Sequence, residues 1–190
     1  MEIKNVQKQK GFTLVEIAIV LVIIGLLLGG VLKGQELITN AKIKAVTSDF
    51  DNISAAYYAY QDRTGNIAGD SATPDGAIDT NNAFWFDLKR EGFISGALLA
   101  IGTTVGPAHD LDGVWTGLPG NADPTLAMFT KNHICASNIP DSYAHGMDTK
   151  MDDGNPATGT IRAGATTAAT IATGTAYADS DTLLFVCKEL

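Results

Sequence analysis

From Phe12 to Leu32 the chain runs for 21 residues in which only Thr13 and Glu16 carry polar side chains. As a helix this run is roughly 30 Å long at about 1.5 Å per residue, which matches the hydrocarbon thickness of a bilayer. Ahead of it, Lys4, Lys8 and Lys10 outnumber Glu2, leaving the flank with a net charge of +2. Positive charge before an apolar span places the N-terminus in the cytoplasm and everything after Lys33 outside it. A plain membrane anchor and a cleaved secretory signal are the two ordinary readings. A signal ends in small residues with an A-x-A-like pattern. Here Leu26–Lys33 reads Leu-Leu-Leu-Gly-Gly-Val-Leu-Lys, a poor match.

Glu16 narrows the choice. A charged residue costs about 2.5–3.5 kcal/mol near the bilayer centre and less toward the interface, and such residues have partners. No Lys or Arg lies between Gly11 and Leu32. The cation must come from a neighbouring chain or from an amine made by cutting the backbone nearby. Pairing within one chain, one helical turn away, is the local alternative.

The residues Lys10-Gly11-Phe12-Thr13-Leu14-Val15-Glu16 resemble the processing motif of type IV pilins and of the pseudopilins of type II secretion. The resemblance implies that a prepilin peptidase cuts after Gly11 and that Phe12 becomes an N-methylated N-terminus. Glu16 is then the assembly residue, pairing with the Phe12 amine of an adjacent copy. In low dielectric such a pair fixes register better than apolar contacts, which tolerate sliding. Family members carry this helix into a filament core, driven by an inner-membrane assembly platform and a cytoplasmic ATPase. Many of them place a Pro where this chain has Leu32 and Lys33.

The helical pattern continues past Lys33. Ile43, Val46, Phe50, Ile53, Tyr57 and Tyr60 recur every three or four residues, one apolar stripe opposite Lys42, Lys44, Asp49 and Asp51. The chain therefore divides into a cytoplasmic leader (1–11), a transmembrane or filament-core helix (12–33), an amphipathic continuation (34–63) and a head (64–190). Gly25, Gly29, Gly30 and Gly34 permit close helix packing or local melting. Residues 64–83 read as a turn-rich loop. Phe84–Glu91 reads as a short helix capped by Asn82 and ended by Gly92, with Phe84, Trp85 and Leu88 inward. Strands are expected near Gly113–Thr116, Leu126–Thr130, Asn132–Ala136 and Thr182–Lys188. The Ala-, Thr- and Gly-rich stretch 157–182 fits weak edge strands or a surface loop. The expected fold class is α+β: a long N-terminal helix with an antiparallel β-sheet laid across its second half.

The 13 basic and 21 acidic residues give a net charge of −8, and no stretch of the head is enriched in Lys or Arg. That argues against a nucleic-acid partner, since phosphate neutralisation needs a basic face. Catalytic patterns are poor. His109, His133 and His145 are scattered, and neither a P-loop nor a dinucleotide fingerprint occurs. Cys135 and Cys187 lack the close spacing of a zinc site. Outside the cytoplasm two cysteines usually pair, and the pair resembles the C-terminal disulfide loop of many pilins. Asp148, Asp152 and Asp153 surround Lys150. Some pseudopilins bind calcium in a C-terminal loop, so these three carboxylates are candidate calcium ligands, with solvated turns as the simpler reading.

The function expected is that of a structural, non-enzymatic subunit of a type IV pilus-like filament, with the secretion pseudopilus as the alternative. A single-pass anchored periplasmic binding protein or enzyme is the reading from a different class. The expected partners are further copies of the chain, the peptidase, the assembly machinery and, before assembly, membrane lipid. The expected location is the inner membrane first, and then a surface pilus or a periplasmic pseudopilus.

Overall fold

The computed structural model describes residues 11, 13–71, 74–96, 106–120, 129–164, 176–178 and 182–190. The elements run α1 (Leu14–Thr64), α2 (Asn81–Arg90), β1 (Trp115–Leu118), β2 (His133–Pro140), α3 (Asp141–Met151), β3 (Ile161–Gly164) and β4 (Leu183–Glu189). This is the expected α+β class, with one long N-terminal helix and an antiparallel sheet. Two compact units divide the chain, Met1–Ala41 and Lys42–Leu190.

In the first unit α1 passes through Gly25, Gly29, Gly30 and Gly34 as continuous helix. Its apolar side chains stay uncovered, Leu14 at 90% exposure and Leu26 at 73%. In the second unit the 3–4 spacing does what it predicts. Val46, Phe50, Ile53, Tyr57 and Tyr60 are buried in one core with Phe84, Trp85, Trp115, Ile134 and Val186. Phe50 meets Trp115 edge to face at 4.6 Å between centroids. The helix stops where Thr64 Oγ1 bonds back to the Tyr60 carbonyl and Gly65 takes a φ of 72°. That left-handed conformation is accessible to glycine without steric penalty.

The second helix starts earlier than its sequence suggests. Thr80, not Asn82, is the cap, its hydroxyl accepting from the Ala83 amide at 3.2 Å. Asn81 links elements: its Oδ1 accepts from Trp85 Nε1 at 2.6 Å and from the Gly117 amide of β1 at 2.8 Å. Gly92 ends the helix, as expected, with a φ of 76°.

The sheet is ordered β1-β2-β4-β3, antiparallel throughout. Period-two alternation sorts its side chains. Ile134, Ala136, Leu184 and Val186 join the main core, while Cys135, Cys187 and Phe185 lie in a smaller cluster with Phe129 and Leu118. A bulge between Ala136 and Ile139, at Asn138 with φ 58°, shifts the register and returns Ile139 to the core. Compared with expectation, β1 lies two residues later and β2 runs on to Pro140. Residues 126–128 of the expected strand Leu126–Thr130 lie outside the described residues, and Phe129 and Thr130 are not in a strand. Within the undecided stretch 157–182, Ile161–Gly164 is the edge strand β3; residues 165–175 and 179–181 lie outside the described set.

The third helix departs from the turn expected around Asp148, which lies in its last turn. Gly146 and a run of Asp, Ser, His and Thr lower its helix propensity. Ala144, Met147, Asp148 and the packed Met151 nonetheless form an inward stripe against the sheet.

Candidate functional site

The first turn of α1 holds its own start. Glu16 Oε2 accepts from the Thr13 amide at 2.8 Å and from the Thr13 hydroxyl at 2.9 Å, and the Glu16 amide donates back to Thr13 Oγ1 at 3.2 Å. This reciprocal arrangement is a capping box, which satisfies backbone donors that the first helical turn leaves orphaned. The signal was legible as Thr13-x-x-Glu16. It gives Glu16 a partner inside its own chain that reasoning from charge alone overlooks. Gly11 is exposed immediately upstream, and a Cβ on it would meet nothing within 4 Å. Phe12, the expected new N-terminus, lies outside the described residues.

Beyond the box, the helix presents apolar side chains around its whole circumference. Val15, Ile19, Ile23, Leu27 and Val31 all sit above 45% exposure, as do Leu14, Leu21, Leu28 and Leu32. A soluble surface rarely tolerates such a contiguous apolar area, which has to be covered by lipid or by other proteins. The segment is long and apolar enough to cross a membrane. Its far end is marked by Lys33, paired with Glu36 at 2.7 Å.

Residues 6–32 match the family model of the prokaryotic N-terminal methylation motif. The chain carries a prokaryotic N-terminal methylation motif. The match covers the end of the basic leader with Lys8 and Lys10, the Gly11–Phe12 junction, the capping box and the apolar run, so the motif lies over the first part of the exposed helix. No curated protein matches the chain. Among solved structures, the chain aligns with the major type IV pilin PilA1 from Clostridium difficile at 14% identity and a TM-score of 0.42, over 79% of this chain and 96% of that one.

The cysteines are joined. Cys135 and Cys187 face each other across β2 and β4 and form a disulfide with Cα atoms 4.0 Å apart. Both are at most 1% exposed, under Phe129, whose ring lies 4.8 Å from the Arg162 guanidinium. The bond removes any Cys–His nucleophile from the vicinity of His133.

The acidic group is real as a cluster: Asp148, Asp152 and Asp153 each bring a carboxylate oxygen within 4.8 Å of the others. Each also has local work. Asp148, fully buried, accepts from Tyr177 Oη at 2.7 Å and from the Gly154 amide at 3.1 Å. Asp152 accepts from the Thr160 and Ile161 amides, and Asp153 from the Asn155 amide and the Thr158 hydroxyl. Burial pushes the Asp148 carboxyl above its usual range, while the Thr158 hydroxyl, with the Asn155 amide, holds Asp153 below. These bonds fold the turn between α3 and β3. The donor set of three carboxylates suits calcium chemistry, which wants six to eight oxygens, several of them anionic.

Proposed function

We propose that this chain is the structural subunit of a type IV pilus-like filament. The observation that carries the reading is the coincidence of the methylation motif, residues 6–32, with a helix whose apolar surface is uncovered on every side. Prepilin peptidase cuts between Gly11 and Phe12, and Phe12 is N-methylated. The helix waits in the inner membrane, with the head outside the cytoplasm. The assembly platform and its cytoplasmic ATPase then transfer the helix from lipid to a core of like helices. Apolar contact supplies most of the driving force, and Glu16 sets the register by pairing with the Phe12 amine of the next copy. Until then its carboxylate is held at the helix start by Thr13, next to where that amine arises.

N-terminal sequencing and intact mass of the native protein test this reading. A start at methylated Phe12 supports it, and an intact Met1 leaves only an anchored head. The acidic turn favours the pseudopilin as second reading, with Asp148, Asp152 and Asp153 as calcium ligands. Isothermal titration with calcium decides that point: absence of heat, together with an unchanged melting temperature, removes the ion.

A further inference from the structure

His109 is only 8% exposed, and filament assembly makes no use of it. Its two ring nitrogens face groups of opposite kind. Nε2 lies 2.9 Å from the carbonyl oxygen of Ser137, which only accepts, so Nε2 bears the proton. Nδ1 lies 3.2 Å from the Leu111 amide, which only donates, so Nδ1 is bare. The slot therefore fits one state of the ring, the neutral imidazole protonated on Nε2. The ring also packs on Trp115 at 5.5 Å, and a Cβ at Gly113 would overlap both His109 Nε2 and the Ser137 carbonyl.

The segment around it depends on that ring. Gly106–Val114 folds on itself through the His109 amide to Gly113 O at 3.0 Å and the Asp112 amide to His109 O at 3.2 Å. It is tied to β2 by the Val114 amide to Ser137 Oγ at 2.9 Å and by Asn138 Nδ2 to Asp112 O at 3.1 Å. Pro107 and Ala108 of the same segment form one wall of a cavity of about 320 Å³, lined also by Ile53, Trp85, Phe93 and Trp115.

We propose that His109 is a proton-operated latch: in mildly acidic surroundings the imidazolium leaves its slot, and Gly106–Val114 loosens from β2 to expose Trp115 and widen the cavity it lines. A proton added to Nδ1 sets N–H against the Leu111 N–H, so the turn loses its bond and gains a repulsion. Asp110 and Asp112, in the same turn and both exposed, favour the cation. From α1, Asp49 acts on Asp110; from β1 and β2 the neighbours are Trp115, Ser137 and Asn138, none of them charged. Burial outweighs the two aspartates, so in place the ring takes a proton less readily than a free histidine. The acid form is therefore the released form.

The test uses the full-length protein in detergent micelles. Nitrogen-15 imidazole NMR should show the Nε2–H tautomer at neutral pH and a His109 midpoint below that of free histidine. The amide protection factor of Leu111 should fall at least about tenfold across that titration, while Ile134 and Val186 in the sheet keep theirs. Trp115 fluorescence should shift with the same midpoint. His109→Gln should abolish the step, and Gly113→Ala, whose methyl displaces the ring, should show the loosened segment already at neutral pH. The Nδ1–H tautomer, a midpoint at or above that of free histidine, or Leu111 protection unchanged through the titration overturns the proposal. So does a folded His109→Gln protein that keeps the step. The measurements on the unmodified protein decide the matter alone if neither variant folds.

Discussion

Asn132 shows how much of the head hangs on single side chains. Its Oδ1 accepts from the Ile78 and Gly120 amides at 3.2 and 3.3 Å, and its Nδ2 donates to Tyr57 Oη at 3.1 Å and to Gly76 O at 2.9 Å. One amide thus joins α1, the loop after it, and the approach to β2. Removing it leaves several polar groups without partners. Asn132→Ala should destabilise the head by about 3 kcal/mol, read as a lowered urea midpoint. Histidine ionisation belongs to the same scale. Burial depresses both His109 and His133, so the unfolded chain takes up protons that the folded chain refuses. Stability from these two is complete above about pH 6.5 and lost as pH falls through their lowered values. The melting temperature should drop between pH 7 and pH 5, and drop less in His133→Gln. Asn132 offers no motif to a reader of the sequence, because its four partners are distant along the chain.

At the level of elements, periodic signals were legible and coincidental contacts were not. The stripe from Val46 to Tyr60 and the inward trio Phe84, Trp85 and Leu88 stood in the sequence as spacing, and spacing is what packing uses. The third helix did not stand there. Its Gly146 and polar run argue locally for a turn, and burial against the sheet overrules them. Edge strand β3 is set by its pairing with β4 rather than by its own composition. The disulfide was legible as a pair, but its seat under Phe129 was not. Replacing both cysteines, Cys135→Ala with Cys187→Ala, should cost about 4 kcal/mol on the chain-entropy model, checked by denaturant melts; the sequence separation is 52. Gly117→Ala should cost about 2 kcal/mol, because its methyl would press on the Phe84 ring at 2.7 Å.

For the molecule as a whole, the prediction concerns assembly. Glu16→Ala should leave cleavage at Gly11 intact and abolish sheared filaments, read by electron microscopy and by the mass of the membrane-bound protein. Filaments at parental yield would refute the assigned role. The N-terminal site was the most legible part of the chain, since the apolar run, the motif and two of the three leader lysines lie within 27 contiguous residues, 6–32. The head's surface chemistry was the least legible, because the loops that create it take their shape from the sheet.

The capping box has a consequence for maturation. Among the described residues, the bonds that start α1 run between Thr13, Glu16 and Ile17, downstream of the Gly11–Phe12 junction. In the proposed processing, trimming the leader leaves these bonds in place, and the proposed cut acts on a helix start already formed, so its timing is free to be governed by delivery to the membrane instead of by folding.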